Sequence, residues 1–362
     1  MRVLHIGEYV QGGVATYVST LLNHPDYPEI EDYLICSDKN SEKQWSLSSN
    51  HIQYYHYHRS LTQIPVAMRA IYKAIKVLKP DVIYCHSTWA GLFARLPMLL
   101  TKKPCRVIYN AHGWSFLRDT TEWKRRIYAL IESILQKCTD VIVNVSRYEY
   151  ESALQYGLKS DNQIVIYSGI SSQKGQIDSN VKLPETKINL LFVGRFDPQK
   201  GLDILLKAFR DCNRNDLHLT IIGDNVIGGG QTIQKKNTDY ITFLGWVPHS
   251  KLASYYNACD LVVMPSRWEA FGLVAVEAMK YGKPVIASDR GALPELIHDG
   301  CNGKIFEMEN PNSLCNVLKN ITKKDAREMG KAAKSVFEQN YQASTMIKQT
   351  IALMISKMPK NN

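Results

Sequence analysis

The chain has 362 residues, of which 45% are hydrophobic and 22% are charged. A prior of roughly 150 residues per domain predicts two domains, and this composition excludes a largely disordered chain, a collagen and a coiled coil. The formal net charge of +10 favours anionic partners such as nucleotides, nucleic acid or a lipid surface. No stretch approaches the ~18 consecutive apolar residues of a membrane span. The N-terminus shows no signal-peptide pattern, so we expect a cytosolic chain.

The eight cysteines include no Cys-x-x-Cys pair and lie mostly in apolar surroundings. This usage is typical of buried thiols in a reducing compartment. The ten histidines are not paired with cysteines at ligand spacing, so we expect no zinc site.

The first half of the chain alternates short β-rich runs with amphipathic helical stretches. The predicted strands are Arg2–Gly7, Tyr33–Ser37, Gln53–Tyr57, Asp81–Cys85, Arg106–Asn110, Val141–Val145 and Gln163–Tyr167. The predicted helices cover residues 13–23, 61–78, 89–100, 121–137 and 146–155. Such alternation predicts a parallel sheet covered by helices.

A polar segment, residues 171–187, interrupts this pattern and is interpreted as an interdomain linker because it is rich in Ser, Gly, Lys and Pro. The alternation then restarts. The predicted strands are Ile188–Gly194, His218–Gly223, Tyr240–Leu244, Leu261–Met264 and Pro284–Ala287, and the predicted helices are 202–210, 249–258 and 271–281. The region after Pro311 reads as helical to the end. The chain is therefore predicted to hold two α/β domains, residues 1–170 and 188–340.

Ligands of open α/β sheets bind beyond the carboxyl ends of the strands, so the loops there are the candidate sites. The first is GEYVQGGV, residues 7–14, between a predicted strand and a predicted helix. Gly12 and Gly13 would let a substrate approach the backbone, and the helix N-terminus offers N–H groups to an anion. A plain tight turn explains the same residues. The loop is neither a dinucleotide fingerprint nor a Walker loop.

The second candidate loop is GRFDPQKG, residues 194–201. Arg195 and Lys200 stand five positions apart across a turn that contains proline. Both can meet a diphosphate at the strand end, with Arg195 as a bidentate donor and Lys200 as a point charge.

The third segment, PSRWEAFGLVAVEAM, covers residues 265–279. Glu269 follows a predicted strand, and Glu277 lies within an otherwise apolar helix, where an unpaired carboxylate would be costly. Such a carboxylate needs donors, and a ribose diol offers two hydroxyls. The helix start at Phe271–Leu273 supplies N–H groups for phosphate or sugar oxygens. His112, in NAHGW, also follows a predicted strand, although a lone histidine is commonly structural.

Two blocks, GRFDPQKGLDILLKAF and SRWEAFGLVAVEAMKYGKPVIASDRGALPELI, resemble the signature segments of glycosyltransferase family 4. The first glycine loop and NAHGWSF resemble the matching N-terminal blocks. The family is retaining, uses nucleotide sugars and has the GT-B fold, in which two Rossmann-like domains face each other across a cleft. The resemblance therefore implies that residues 188–340 bind the nucleotide sugar and that residues 1–170 lie on the acceptor side. It also implies that the last helix, 341–358, crosses back onto the first domain.

The resemblance also implies residue roles. Arg195 and Lys200 would bind the donor diphosphate and neutralise the leaving group. Glu277 would bind the ribose hydroxyls, and Glu269 the hydroxyls of the transferred sugar. The donor-binding set includes Phe271, Gly272, Leu273 and Val274 by their backbone, Gly12 and Gly13 from the other domain, and Val247 beside Trp246 in the base-binding stretch. His112 would contact the donor sugar and shape an oxocarbenium-like transition state, so His112 and Glu269 are the catalytic candidates.

Three departures from the family pattern bear on donor selection. Residues 223–230 contain GDNV and a triple glycine in place of Gly-Asp/Glu-Gly-Pro, which predicts a longer or mobile loop. Ser168-Gly169 replaces Asn-Gly, and Gly291-Ala292 replaces Gly-Gly. None of them removes a proposed catalytic side chain. The chain contains no Asp-x-Asp, so we expect no metal or other cofactor.

The acceptor is less determined by the sequence. Segments 59–79 and 114–128 mix basic with apolar and aromatic residues, as do helices that lie on anionic lipid. A helix with a solvated basic face explains them equally well. We therefore expect a saccharide acceptor, lipid-linked in polysaccharide or glycan biosynthesis, and peripheral attachment to the inner face of the cell membrane.

Two alternatives stay open at this stage. A nucleotide-sugar epimerase or hydrolase would share the two-domain plan and would need no acceptor. A nucleic-acid-binding protein would explain the positive charge, but the charge is dispersed and no basic–aromatic reading motif is present, so we expect no nucleic-acid partner. A nicotinamide dehydrogenase is disfavoured because neither glycine loop has the required spacing.

Overall fold

The computed structural model describes residues 1–225 and 233–356. The chain divides into two compact units. The first unit comprises Met1–Ile170 and the chain from Ala343 onward, and the second comprises Ser171–Gln342.

The first unit is built on a parallel sheet with the strand order β3-β2-β1-β4-β5-β6-β7. Its strands are β1 (Arg2–Gly7), β2 (Glu31–Ser37), β3 (Ile52–Tyr55), β4 (Val82–His86), β5 (Arg106–Asn110), β6 (Val141–Asn144) and β7 (Gln163–Val165). Its first helices are α1 (Gly13–Leu21), α2 (Ile64–Leu78), α3 (Thr88–Arg95), α4 (Glu122–Gln136) and α5 (Arg147–Gln155). Every residue of β4 is buried, as expected for a central strand that is covered on both faces.

The second unit repeats the plan with the strand order β10-β9-β8-β11-β12-β13. Its strands are β8 (Ile188–Val193), β9 (Leu217–Ile222), β10 (Ile241–Gly245), β11 (Leu261–Met264), β12 (Val285–Ser288) and β13 (Gly303–Phe306). Its helices are α6 (Leu202–Asp211), α7 (Leu252–Ala258), α8 (Leu273–Lys280), α9 (Leu293–Leu296), α10 (Ser313–Asn320) and α11 (Lys323–Asn340). All strand pairs are parallel, so the carboxyl ends lie along one edge.

The last described helix, α12 (Ala343–Ile355), belongs to the first unit. Its first N–H, at Ala343, donates to the carbonyl of Ile170 over 2.9 Å. Met346, Ile351 and Thr350 on this helix are buried. The helix predicted at 341–358 is therefore shorter at its start, and its last two residues lie outside the described residues.

The predicted α/β class is confirmed, with three local corrections. The strand β13 and the short helix α9 were not predicted, because each spans four residues and Gly-rich or Pro-containing sequence surrounds both. The segment predicted as a linker, 171–187, lies against the second unit rather than spanning free. Gly175 N–H donates to the hydroxyl of Tyr281 over 3.1 Å, and Asp178 N–H donates to Ser254 Oγ over 2.9 Å.

Candidate active site

The loops that follow β8 and β11 are held together by a close backbone approach. Gly201 has φ +65°, and a Cβ at this position would lie 1.9 Å from the carbonyl oxygen of Pro265. Only glycine fits both the conformation and the space. Arg267 N–H then donates to the carbonyl of Gln199 over 2.7 Å. The sequence blocks 194–201 and 265–272 therefore form one surface at the carboxyl edge of the sheet.

Lys200 and Glu269 meet on this surface. Lys200 Nζ lies 2.5 Å from Glu269 Oε1. The same carboxylate oxygen accepts from Ser266 Oγ over 2.9 Å, and Glu269 is 6% exposed. Asp197 caps the turn before Lys200 by accepting its N–H over 3.1 Å. The structure thus places a fixed cation and a buried carboxylate side by side.

Arg195 stands at the solvent side of this pair. Its guanidinium lies 2.9 Å from Asp197 Oδ2 and donates to Gln199 Oε1 over 3.3 Å. The Arg195 side chain is 54% exposed, so its charge is open to a ligand. Arg195 and Lys200 are therefore both presented from the turn after β8, as the sequence predicts.

The backbone from Phe271 to Val274 starts helix α8. Gly272 is the N-cap, with φ +109°, a conformation that glycine adopts without strain. Phe271 is buried and its ring packs edge-on against that of Tyr341. Leu273 and Val274 form the first turn, whose N–H groups have no intrahelical partners. The geometry suits an anion at this helix end.

Glu277 is engaged by two side chains that the sequence did not point to. Its Oε1 lies 3.1 Å from His249 Nε2, and its Oε2 accepts from the hydroxyl of Tyr256 over 2.6 Å. The hydrogen bond to Glu277 raises the pKa of His249. Tyr256 is buried whereas the His249 side chain is 69% exposed. The buried Tyr256 therefore holds Glu277 Oε2. The exposed His249 holds Oε1, and a ligand can displace it.

The predicted base-binding stretch follows β10. Trp246 is exposed, and Val247 is half-buried. Gly245, with φ +72°, sets the turn and accepts from Gly223 N–H over 2.8 Å. The predicted long or mobile loop around the triple glycine lies outside the described residues.

In the first unit, the glycine loop leads from β1 into α1. Gly12 is the N-cap of α1, with φ 57° and ψ −132°, a conformation that glycine alone adopts readily. A Cβ at Gly12 would meet no atom within 4 Å, and Gly13 is exposed. The backbone conformation at Gly12 therefore requires glycine, although the space that a side chain would occupy is open. Glu8, in the same loop, is buried against the exposed Arg59, a pair that the sequence did not indicate.

His112 is held in a shaped loop after β5. It has φ +50°, which is uncommon for a non-glycine residue and occurs at functional sites. Its N–H donates to Asn110 Oδ1 over 2.8 Å. Trp114, fully buried, donates its Nε1–H to Asn144 over 3.1 Å, and Glu149 accepts the Trp114 N–H over 3.2 Å. The loop therefore fixes the position of the His112 ring.

The His112 ring continues into a chain of polar side chains within the first unit. His112 Nε2 lies 3.1 Å from His86 Nδ1, and His86 Nε2 lies 3.0 Å from His5 Nδ1. His5 Nε2 lies 3.1 Å from Asp32 Oδ1, and His24 contacts the other oxygen of Asp32. Sequence reasoning did not find these partners. A polar residue in an apolar strand, such as His5 in RVLHIG, was the available signal.

The pKa values of the side chains in this hydrogen-bonded series differ sharply. Burial lowers the pKa of His112 to about 3, and burial with the neighbouring histidines lowers that of His86 well below its usual value. The hydrogen bond to Asp32 raises the pKa of His24. Although Asp32 is buried, its hydrogen bonds to His24 and His5 hold the pKa of its carboxyl well below the usual range. Ionisation is thus favoured at Asp32, whereas the neutral form is favoured at His86 and His112.

The predicted site residues therefore form groups within each unit. Lys200, Glu269 and Arg195 gather with the start of α8 in the second unit, whereas Glu277 is held separately by α7. Gly12, Gly13 and His112 follow β1 and β5 in the first unit. Within residues 1–225 and 233–356, no group of three or more His, Cys, Asp or Glu side chains could hold a metal ion.

Comparison with known proteins decides the family. Residues 173–336 match the model of glycosyl transferases group 1, and residues 11–174 match that of glycosyltransferase family 4. An uncharacterized glycosyltransferase of Methanocaldococcus jannaschii is 31% identical over 84% of this chain and 82% of its own. The chain belongs to glycosyltransferase family 4.

Other relatives of this glycosyltransferase come from bacteria. An uncharacterized protein from the cps region of Klebsiella pneumoniae is 35% identical, over 98% of this chain and 99% of its own. The Escherichia coli UDP-Gal:alpha-D-GlcNAc-diphosphoundecaprenol alpha-1,3-galactosyltransferase is 26% identical over 73% of this chain and 72% of its own.

A solved structure shares the fold of the glycosyltransferase. Anabaena HepE, crystallised with UDP and glucose, superposes with a TM-score of 0.79 at 19% identity, covering 98% of this chain and 99% of that chain. This likeness confirms the predicted fold class, two Rossmann-like units of the GT-B type. The family match confirms that the protein is a transferase.

Proposed function

We propose that this glycosyltransferase moves a hexose or N-acetylhexosamine from a nucleotide sugar to a lipid-linked saccharide in polysaccharide biosynthesis, with retention of anomeric configuration. A UDP-sugar is the favoured donor. The observation that carries the proposal is the Lys200–Glu269 pair beside the exposed Arg195 at the carboxyl edge of the second sheet. Retention rests on the resemblance to the family.

The charges of this surface fit the reaction. Cleavage of the bond between the anomeric carbon and the diphosphate develops positive charge on the sugar and negative charge on the phosphate. Arg195, Lys200 and the N–H groups of Leu273 and Val274 in the first turn of α8 would face the negative charge, and they are in place before the reaction. One such donor is worth roughly 3–4 kcal/mol of barrier. Glu269 orients Lys200 and offers its carboxylate to sugar hydroxyls.

The nucleoside would lie at Glu277. A ribose diol can donate both hydroxyls to a carboxylate, and Tyr256 already holds Glu277 from its buried side. Binding the diol requires His249 to give up its contact with Oε1. Trp246 and Val247 would then border the base. Two similar proteins support uridine: HepE, solved with UDP, and the E. coli galactosyltransferase, which is named for UDP-Gal. We propose that neither nucleotide binding nor sugar transfer uses a metal.

The acceptor proposal draws on an exposed apolar stripe of α4. Trp123, Ile127, Leu130 and Ile134 are exposed and recur three or four residues apart, so they share one helix face. Lys124, Arg125 and Arg126 stand beside them. An apolar stripe flanked by cations is the arrangement of a helix that lies on an anionic membrane. None of the described helices is long and apolar enough to cross a membrane. We therefore propose peripheral attachment through α4 at the inner face of the cell membrane.

A sedimentation experiment tests the attachment. The protein is expected to sediment with vesicles that contain phosphatidylglycerol, and a Leu130→Glu, Ile134→Glu variant is expected to stay in the supernatant. Ile177→Glu, at an exposed apolar residue of the second unit, is the matched control and should still sediment. Sedimentation of both variants alike, or failure of the unaltered protein to bind at low salt, would refute the attachment. So would a dimer that buries α4.

A transfer experiment tests the reaction. The purified protein is incubated with a labelled UDP-sugar and a bacterial extract of lipid-linked saccharides. The expected result is label in the lipid-linked saccharide fraction, absent with an Arg195→Ala, Lys200→Ala variant. Free labelled sugar without a labelled lipid would identify a hydrolase, and a labelled nucleotide sugar of altered configuration would identify an epimerase.

A further inference from the structure

The polar chain that ends at His112 has a defined direction. An ionised carboxylate only accepts hydrogen bonds, so Asp32 requires a proton on His5 Nε2, which lies 3.1 Å from Asp32 Oδ1. A neutral imidazole has one donor and one acceptor nitrogen. His5 Nδ1 is then the acceptor, and His86 Nε2, 3.0 Å away, must be the donor.

The next ring, His86, also has one donor and one acceptor nitrogen. His86 Nδ1 is the acceptor left on a neutral His86, and His112 Nε2 lies 3.1 Å from it. His112 Nε2 must therefore carry the proton. The remaining nitrogen of His112, Nδ1, is unprotonated and accepts a hydrogen bond. Asp32 thus determines the tautomer of His112 through the hydrogen bonds of His5 and His86.

The charges around these histidines favour this direction of the hydrogen bonds over the reverse one. Reversal would need a second proton on His5, which is 1% exposed. Asp32 is already matched by His24, whose pKa is raised by their hydrogen bond. A cation on His5 would have to share the single carboxylate of Asp32 with His24, so burying it would be costly.

Two tyrosines pack on the rings of this series, and neither carries a charge at neutral pH. His86 and His112 stack with ring centroids 5.4 Å apart. Tyr84 packs on His86 at 4.3 Å, and Tyr17 packs edge-on against His112 at 4.5 Å. The hydroxyls of these two tyrosines bond to each other over 2.8 Å, and burial raises the pKa of both. The chain is therefore enclosed by neutral rings.

We infer that Asp32, His5 and His86 are positioning residues that hold His112 as a neutral ring with Nε2 protonated and Nδ1 as the acceptor. This rests on the proposed function and on the role that the family resemblance implies for His112, contact with the donor sugar. A neutral acceptor takes a hydrogen bond from a sugar hydroxyl. It also adds no positive charge beside a sugar that becomes cationic in the transition state, where a protonated ring would oppose the reaction.

The test reads the tautomer directly. Protein labelled with ¹⁵N in histidine is examined by long-range ¹H–¹⁵N correlation at neutral pH, and His112 is assigned with His112→Asn. The expected spectrum shows His112 Nε2 as a protonated nitrogen and Nδ1 as an unprotonated one. A protonated Nδ1, alone or with Nε2, would overturn the inference without any variant having to fold.

Variants test the remote anchor. Asp32→Asn replaces an obligate acceptor by a group that can donate, so the His112 pattern should reverse or average. Asp38→Asn is the matched control, because Asp38 pairs with the exposed His56 over 2.8 Å. It should leave the His112 signals unchanged. A His112 pattern that stays the same in Asp32→Asn would refute the anchoring role.

Kinetics separate this inference from the proposed function. Asp32→Asn is expected to lower kcat by on the order of tenfold to a hundredfold with little change in nucleotide Kd. The expected tautomer in a protein without transfer activity would refute the proposed function alone. Transfer activity with the opposite His112 tautomer would refute the positioning chain alone.

Discussion

Lys200 Nζ lies 2.5 Å from Glu269 Oε1, although 69 positions separate the two residues in the chain. The contact depends on Gly201, whose backbone lies against the carbonyl of Pro265. In the proposed function, this contact places the cation that would face the leaving group beside the carboxylate that would bind the sugar.

Removal of either cation should slow turnover far more than it affects folding. Lys200→Ala and Arg195→Ala are each expected to lower kcat by on the order of 10²–10³, because each removes charge that faces the leaving diphosphate. Lys207→Ala, at an exposed lysine of α6, is the control and should keep normal turnover. Steady-state nucleotide release measures the effect, and thermal melting checks the fold. Near-normal turnover in either variant would refute the diphosphate assignment.

Substitution of Glu269 and substitution of Glu277 should affect different quantities, kcat and the Kd for UDP respectively. Glu269→Ala is expected to lower kcat more than nucleotide affinity, since Glu269 serves the sugar and Lys200. Glu277→Ala should mainly raise the Kd for UDP, because the ribose loses its acceptor. Calorimetric titration with UDP and steady-state kinetics measure the two quantities. The opposite pattern would exchange the roles of these residues.

A buried ion pair in the first unit should be costly to break. Arg95 is fully buried and donates to Glu132 Oε2 over 2.7 Å, while the Tyr109 hydroxyl donates to Oε1 over 2.8 Å. Arg95→Met leaves a buried carboxylate without its cation and is expected to destabilise the unit by about 3–5 kcal/mol. Arg95→Met with Glu132→Leu should be more stable than the single variant. Urea unfolding measures this, and an equal loss in both would contradict it.

The stability of the first unit should fall as the solution becomes acidic. The folded pKa of His112 is about 3, below the value of roughly 6.5 expected in the unfolded chain. Between these values the unfolded state binds more protons, so acid favours unfolding. His86 acts in the same direction. His24, with a raised pKa, acts oppositely: its stabilisation is present below about pH 6.5 and is lost as pH rises through its folded pKa.

His112→Asn isolates the effect, because asparagine tolerates the positive φ at this position. The loss of stability between about pH 7 and pH 5 should be smaller in this variant by about 2 kcal/mol. Native-state hydrogen exchange of the β5 amides measures it in the first unit alone. His56→Asn, at an exposed histidine, is the control. An unchanged pH dependence in His112→Asn would contradict the low pKa of His112.

The parts of the fold that local pattern determines were predictable from the sequence. Buried strands such as Leu261–Met264 are short apolar runs between turn residues, and the loops at their carboxyl ends carry the signature side chains. Cross-strand partners were not predictable. His5, Asp32 and His86 come from three segments, and only the parallel order β2-β1-β4 brings them together. Glu277 on α8 is reached in the same way by Tyr256 on α7 and by His249 in the turn before α7.

The most direct test of the central claim is nucleotide release across a panel of UDP- and GDP-sugars, with and without extracted lipid-linked saccharides. We predict release from one UDP-sugar, increased by the lipid-linked acceptor and lost in Lys200→Ala. Release that no acceptor increases would contradict the proposed transfer to a lipid-linked saccharide. Absence of release from every donor, with no thermal stabilisation by UDP or GDP, would contradict the nucleotide-sugar site itself.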